Sequence, residues 1–285
     1  MTYHPGLNDP FPFSQGSPMS KLSRLVRQCL PGAAPPAVGQ AAARRDKVRV
    51  TPWGFRFVGH EAMASGTFEP QETALVRNAL MEADALVNVG ANVGYYCCHA
   101  LSLGRKVLAV EPIHNNVECL LKNIDLNGWA DGVRVFPVAA GARPGILTIW
   151  GGGTAASLVR GWAGIPEHHV SLVPIIPLDE VIGSTFADQR LLVIVDVEGA
   201  EFDLLQGASG LLGRSPRPTW IVEISLREHQ PTGSNPRFCD IFEIFFNHGY
   251  RAFTANDARQ QVTREDVARM VRGEQDVVTH NYLFR

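Results

Sequence analysis

The chain has 285 residues, 45% of them hydrophobic, a formal net charge of −2 and five cysteines, Cys29, Cys97, Cys98, Cys119 and Cys239. That length supports one large core with a small appendage, and the near-neutral balance lacks the basic stripe that nucleic acid selects. An odd cysteine count without CxxC spacing points to reduced thiols in a cytoplasmic setting, and no run of about 18 apolar residues or signal-peptide apolar region marks membrane insertion or export.

Residues 1–50 carry seven prolines and seven Lys or Arg against Asp9 and Asp46, the composition of an arm that is partly disordered. Within it Ser20 is placed to cap a short helix, KLSRLVRQCL, with Leu22, Leu25, Val26, Cys29 and Leu30 on one face and Lys21, Arg24 and Arg27 off it. Such a basic amphipathic helix suits an anionic membrane surface, its own domain or a second subunit, which leaves a homo-oligomer open.

From residue 72 onward, apolar runs of strand length alternate with helical patterns, over a domain assigned to residues 51–285. The expected strands are Ala85 to Val89, Lys106 to Val110, Val133 to Val138, Leu191 to Asp196 and Thr219 to Ile224. GYRAFTA and VVTHNYLF form a terminal pair, separated by a polar stretch. The expected helices are Gln71 to Met81, Val93 to Leu103, Val117 to Asn127, Ala200 to Leu212 and Arg237 to His248. This order predicts a doubly wound, mostly parallel α/β sheet of seven strands with helices on both faces. The interval 141–188, rich in Gly and Pro, reads as a substrate-side insertion, with Gly151 to Gly153 as a hairpin turn after ILTIW.

In such a sheet the ligand binds beyond the carboxyl ends of the strands. The first strand ends in Gly90-Ala91-Asn92-Val93-Gly94, where small residues let backbone approach a ligand, and the second ends in Glu111, 21 residues after Gly90. A carboxylate there is placed to accept both hydroxyls of an adenosine ribose. The turn is neither GxxxxGK[ST] nor GxGxxG, since no Lys follows Gly94 and Asn92 stands where a pyrophosphate wants bare backbone. No tyrosine has a lysine four residues on, as a short-chain dehydrogenase needs. Adenosine without phosphates fits these absences, and S-adenosyl-L-methionine is the common ligand of that kind.

VNVGANVGYY, LAVEP, the asparagines of LLKNIDLNG, IVDVEGAEFDLLQGA and IVEI together resemble FkbM-type methyltransferases, from GTFEP at residues 66–70 to about Phe253. The resemblance implies a class I fold, S-adenosyl-L-methionine as methyl donor and a hydroxyl of a sugar, glycan or polyketide as acceptor. It puts cofactor contacts at Gly90, Asn92, Gly94 and Glu111, and acceptor-side carboxylates at Asp196 and Glu198. Two positions depart from the family pattern: Asn88 stands where Asp is usual, and Ile194 where Lys is usual. Asn88 is expected to bond the turn or the amino end of the cofactor and to set how tightly it is held.

Methyl transfer to a hydroxyl is mostly positioning, aided by a general base. Asp196 and Glu198 at the fourth strand end, Glu223 at the fifth and His229 in SLREHQ are the candidates. Glu198 also reads as a carboxylate favouring a helix start, Glu223 as a backbone acceptor and His229 as a solvated loop residue. Asp196, Glu198 and Glu201 raise the question of a divalent cation, but without a His partner no metal is expected. Two rival readings remain: a nicotinamide-dependent oxidoreductase, since Glu111 suits either ribose, and a non-catalytic cofactor-binding module.

Overall fold

The computed structural model describes residues 47–152, 156–165, 170–256 and 259–285. The arm helix KLSRLVRQCL, Gly153, His168 and His169 lie outside the described residues. Two short strands, β1 (Arg49–Val50) and β2 (Arg56–Phe57), pair antiparallel and are followed by helices α1 (Glu61–Ser65) and α2 (Pro70–Glu82). Then come β3 (Ala85–Val89), α3 (Tyr95–Ser102), β4 (Lys106–Val110), α4 (His114–Leu126) and β5 (Val133–Phe136). The interval after β5 supplies β6 (Ala139–Ala140), β7 (Gly145–Trp150), β8 (Val170–Ile176) and α5 (Leu178–Ile182). The chain continues through β9 (Leu191–Val195), α6 (Glu201–Gln206), α7 (Ser209–Leu212), β10 (Thr219–Glu223), α8 (Phe238–Asn247), β11 (Ala252–Thr254), β12 (Gln261–Val262), α9 (Arg264–Arg272) and β13 (Asn281–Phe284).

The main sheet has the order β12-β11-β13-β10-β9-β3-β4-β5. Its five central strands run parallel, while β13 is antiparallel to β10 and β11, and β12 to β11. The order reverses between β3 and β9, and this switch point opens a crevice at the carboxyl ends of both strands. Both faces of the sheet are covered, which is why the strands read as continuous apolar runs rather than alternating ones. Val87, Val89, Leu108 and Val193 pack into the core that holds α6, α7 and α8, and Leu86, Ala109, Leu192 and Ile194 into the core that holds α2, α3 and α4.

Four features differ from the expected pattern. The sheet has eight strands rather than seven, because Gln261–Val262 adds an edge. The helix expected over Ala200 to Leu212 breaks into α6 and α7 at Gly207, whose Cα lies so close to the Gly141 carbonyl that a Cβ would overlap it. The polar stretch before the last strand contains α9, started by a capping box in which Thr263 Oγ1 takes the Asp266 N–H at 3.2 Å and Asp266 Oδ2 takes the Thr263 N–H at 2.9 Å. Strands β7 and β8 pair as a hairpin, but residues 151–169 join them as a long connection rather than a tight glycine turn.

The asparagines of LLKNIDLNG act as strand surrogates. Buried Asn123 accepts the Val58 N–H at 2.6 Å and donates to the carbonyls of Val58 and Val93 at 2.9 Å, while Asn127 exchanges two 2.8 Å bonds with the Arg56 backbone. They tie the N-terminal segment to the glycine turn. The two departures from the family pattern are also one structural feature: Asn88 and Ile194 are register partners on β3 and β9, both buried on the same face. Among the described residues no helix is long and apolar enough to cross a membrane.

Candidate active site

The switch-point crevice holds a narrow cavity, open to solvent, lined by Gly90, Asn92, Glu111, Asn116, Asp196 and Glu198 among polar and small residues, with Val110, Ile113, Ile149 and Leu158 supplying apolar walls. Among the described residues no Lys, Arg or His lines it. Gly90 has φ 81°, and a Cβ there would overlap the Asp196 carbonyl oxygen, so β3 and β9 approach closely only because residue 90 has no side chain. Asn92 is left-handed at φ 50°, its own Oδ1 taking the Val93 N–H at 2.8 Å.

Glu111 is buried at the end of β4. Its Oε2 accepts the Asn92 N–H at 2.8 Å, and its Oε1 accepts the Ile113 N–H at 2.9 Å and Asn116 Nδ2 at 3.1 Å. Burial pushes its pKa up and these three bonds pull it down. A carboxylate has about four acceptor positions, so about one remains toward the cavity while Asn116 keeps its bond.

Across the cavity, Asp196 follows β9 and Glu223 closes β10. Asp196 is open to the crevice, and the protein packed around it together with the charges of Glu198 and Glu111 pushes it up to about 7, while its hydrogen bond with Glu223 pulls it down. The Asp196 charge and burial hold Glu223 well above the usual carboxylate range. Two adjacent carboxyls whose charges raise one another hold a proton as a pair.

Glu198, at φ 53°, is held by the 150s connection: Trp162 Nε1 donates to its Oε2 at 2.6 Å and Ser157 Oγ to its carbonyl at 2.5 Å. Burial raises its pKa and the Trp162 bond lowers it. Glu201 lies deeper, accepts the Gly199 N–H at 2.9 Å, and is pushed by burial up to about 8. Glu69, exposed and at φ 38° just before α2, takes the Tyr96 hydroxyl at 3.1 Å and is raised to about 7 by the protein around it and the Asp196 charge. The sequence does not mark Glu69 as a site residue, although it stands within the GTFEP stretch, and Trp162, an aromatic of the insertion expected to suit stacking on a sugar, is instead bonded to Glu198.

Other predicted residues fall elsewhere. Asn88 does not line the cavity: strand alternation turns it into the α3-side core, where Nδ2 meets Cys97 Sγ at 3.5 Å. Gly94, φ 82°, begins α3, and a Cβ would stand 2.9 Å from Leu120 Cγ, so it serves helix packing rather than the cavity wall. His229 is exposed at φ 64°, its ring 5.9 Å from that of Trp162 and its carbonyl accepting the Ala163 N–H at 2.9 Å. Among the described residues no group of three or more His, Cys, Asp or Glu is arranged to hold a metal ion.

Comparison with known proteins decides the family. The model of the methyltransferase FkbM domain matches residues 88–252. The chain belongs to the FkbM methyltransferase family. Among solved structures, methyltransferase FkbM from Methylobacillus flagellatus KT is 17% identical at TM-score 0.43, covering 72% of this chain and 44% of that one. The chain thus spans less than half the length of that relative. Cofactor-bound Rv0187 from MTB is 13% identical at TM-score 0.42, covering 95% of this chain and 97% of that one. The precorrin-6y C5,15-methyltransferase from Geobacter metallireducens GS-15 is 14% identical at TM-score 0.38, covering 69% and 78%. No curated protein matches the chain.

Proposed function

We propose that this FkbM methyltransferase uses S-adenosyl-L-methionine to methylate a hydroxyl of a sugar, glycan or polyketide-like acceptor. The observation that carries the reading is geometric: Asp196 lines the crevice that Gly90 and Glu111 shape, with Glu223 at the end of the neighbouring strand.

The residues present fit the methyl donor. Val110, Ile113 and Leu158 suit an adenine ring, Glu111 keeps about one acceptor position for a ribose hydroxyl, and a lining of acids without a cation suits a sulfonium and an ammonium. When bound, S-adenosyl-L-methionine supplies an electrophilic methyl group on a positively charged sulfur. Asp196, ionised above about pH 7, takes the proton of the acceptor hydroxyl. The hydrogen bond that Glu223 shares with Asp196 keeps that anion oriented. Glu198 is bonded to Trp162 and serves to seat the 157–165 segment at the cavity mouth, which assigns it positioning rather than proton transfer.

Thermal shifts with S-adenosyl-L-methionine, S-adenosylhomocysteine and NAD, followed by transfer of a labelled methyl to a panel of hydroxylated and aminated acceptors, test this reading. Stabilisation by the first two and label in an ether are expected. Stabilisation by NAD alone would return the oxidoreductase alternative, and cofactor binding without transfer to any acceptor would return the binding module.

A further inference from the structure

A second cavity, about 980 Å³ in extent and open to solvent, lies at the opposite, amino edge of the same sheet, where β9 and β10 begin and β13 ends. Its lining includes Arg190, Arg217, Arg259 and Arg285, with Glu82 as the one acid among the described lining residues and Asp84 paired with Arg190 beside it. The four arginines come from four separate connections: before β9, before β10, between β11 and β12, and after β13.

Elsewhere, Arg49, Arg237, Arg264 and Arg272 are paired with acids, whereas other surface arginines, such as Arg134 on Thr185, stand apart from carboxylates singly. What marks this cavity is that four arginines converge on it and, of these, Arg190 alone is paired among the described residues, with Asp84 at 2.6 Å. Arg217 donates Nη1 to the Gly249 carbonyl at 2.8 Å and lies 5.1 Å over the Tyr250 ring. Arg285 lies 5.0 Å over the Phe253 ring, which a further guanidinium, that of Arg251, also approaches at 5.6 Å. Among the described residues Arg217, Arg259 and Arg285 have no carboxylate partner. Rings and backbone therefore hold like charges around one concavity in a chain whose net charge is −2. Such an arrangement repels itself until an anion neutralises it, and the planar guanidinium fork matches phosphate oxygens two at a time.

We infer that this arginine-lined cavity at the amino edge of the sheet is a binding site for an oligoanion carrying two or more linked phosphate groups, such as an inorganic phosphate chain or the phosphates of a nucleotide. A single phosphate meets too few of the guanidiniums to hold well. The site lies across the sheet from the methyltransferase cavity, and the inference does not rest on the function assigned there.

Calorimetric titration of the full-length chain with tripolyphosphate and with ATP, at low ionic strength, tests it. Saturable binding of one equivalent is expected, tighter than that of inorganic phosphate. Equal affinity for the two probes identifies the phosphate chain as what is recognised, and tighter ATP binding adds the nucleoside. Arg217→Gln combined with Arg285→Gln should weaken binding by about tenfold or more, the usual cost of losing charged hydrogen bonds. Arg264→Gln with Arg272→Gln removes the same charge from α9 and should leave binding within about twofold, since those arginines are exposed and already paired. If the double cavity variant melts early, Arg285→Gln alone, whose side chain only covers a ring, carries the test with a weakening of about threefold. No saturable binding of either probe, or binding that survives loss of the cavity arginines, overturns the site.

Discussion

The two ends of one sheet have opposite chemistry. At the carboxyl edge Glu111, Asp196 and Glu198 line a cavity with no cation among the described residues, and Glu69, Glu201 and Glu223 stand near them. At the amino edge four arginines surround a cavity whose described lining has one acid, Glu82. Neither composition nor net charge shows this, because the charges cancel over the chain. At the carboxyl edge desolvation and neighbouring carboxylates raise the pKa of each acid, so part of this charge can be relieved by uptake of protons. The amino edge has no such recourse, since a guanidinium does not deprotonate in proteins, so it requires a counter-ion from outside.

The sharpest way to break this contrast is to remove the base. Asp196→Asn should lower the rate of methyl transfer by about 10²- to 10⁴-fold, the usual contribution of general base catalysis, and leave the Arg-lined edge untouched. In the parent enzyme the rate should rise with pH through about 7, as Asp196 ionises. A rate profile flat from pH 5.5 to 8.5, about three units around that value, would assign the proton to another group.

Between the two edges the sheet interior carries no charge at all where Asn88 faces Ile194. Asn88→Asp should destabilise the fold by about 3–5 kcal/mol, because it buries a carboxylate with no partner. Adding Ile194→Lys should recover most of that loss in urea unfolding, since the two positions are cross-strand neighbours. A single substitution without effect would show that water reaches this site.

A smaller effect concerns pH and stability. Asp196 at about 7 and Glu201 at about 8 titrate in the folded chain above their unfolded values near 4. The folded state therefore holds protons that the unfolded state has released. The stability they contribute is fully present below about pH 4 and is lost as pH rises toward 7 and 8. The ligand-free melting temperature should fall between pH 5 and pH 8, and Glu201→Gln should flatten the fall. A rise over that interval would mean that these carboxyls ionise at ordinary values.

Much of this frame was legible in the sequence. Ala85–Val89 and Lys106–Val110 begin and end where apolar runs meet turn residues, because a strand buried on both faces leaves a continuous signal. Gly90, Asn92 and Glu111 could be placed because strand, turn, helix and acid follow in order within 30 residues. What stayed hidden depends on register and on distant segments. That Asn88 faces Ile194 follows from a pairing across 106 positions of sequence, and that Trp162 holds Glu198 from the path of an irregular connection. Helix α9 was missed for a different reason: its nine residues are mostly charged and only Val267 and Met270 are buried, so the local cue was the T-x-x-D capping box rather than an apolar stripe.

The claim that the carboxyl edge is the methyl donor's site is tested most directly by calorimetric titration of the chain with S-adenosyl-L-methionine, repeated on Glu111→Ala and on the Arg217→Gln, Arg285→Gln variant. The account predicts one binding site, weakened by about 1–3 kcal/mol when Glu111 is lost and unchanged when the arginines are. Binding indifferent to Glu111, or abolished by the arginine substitutions, would contradict it.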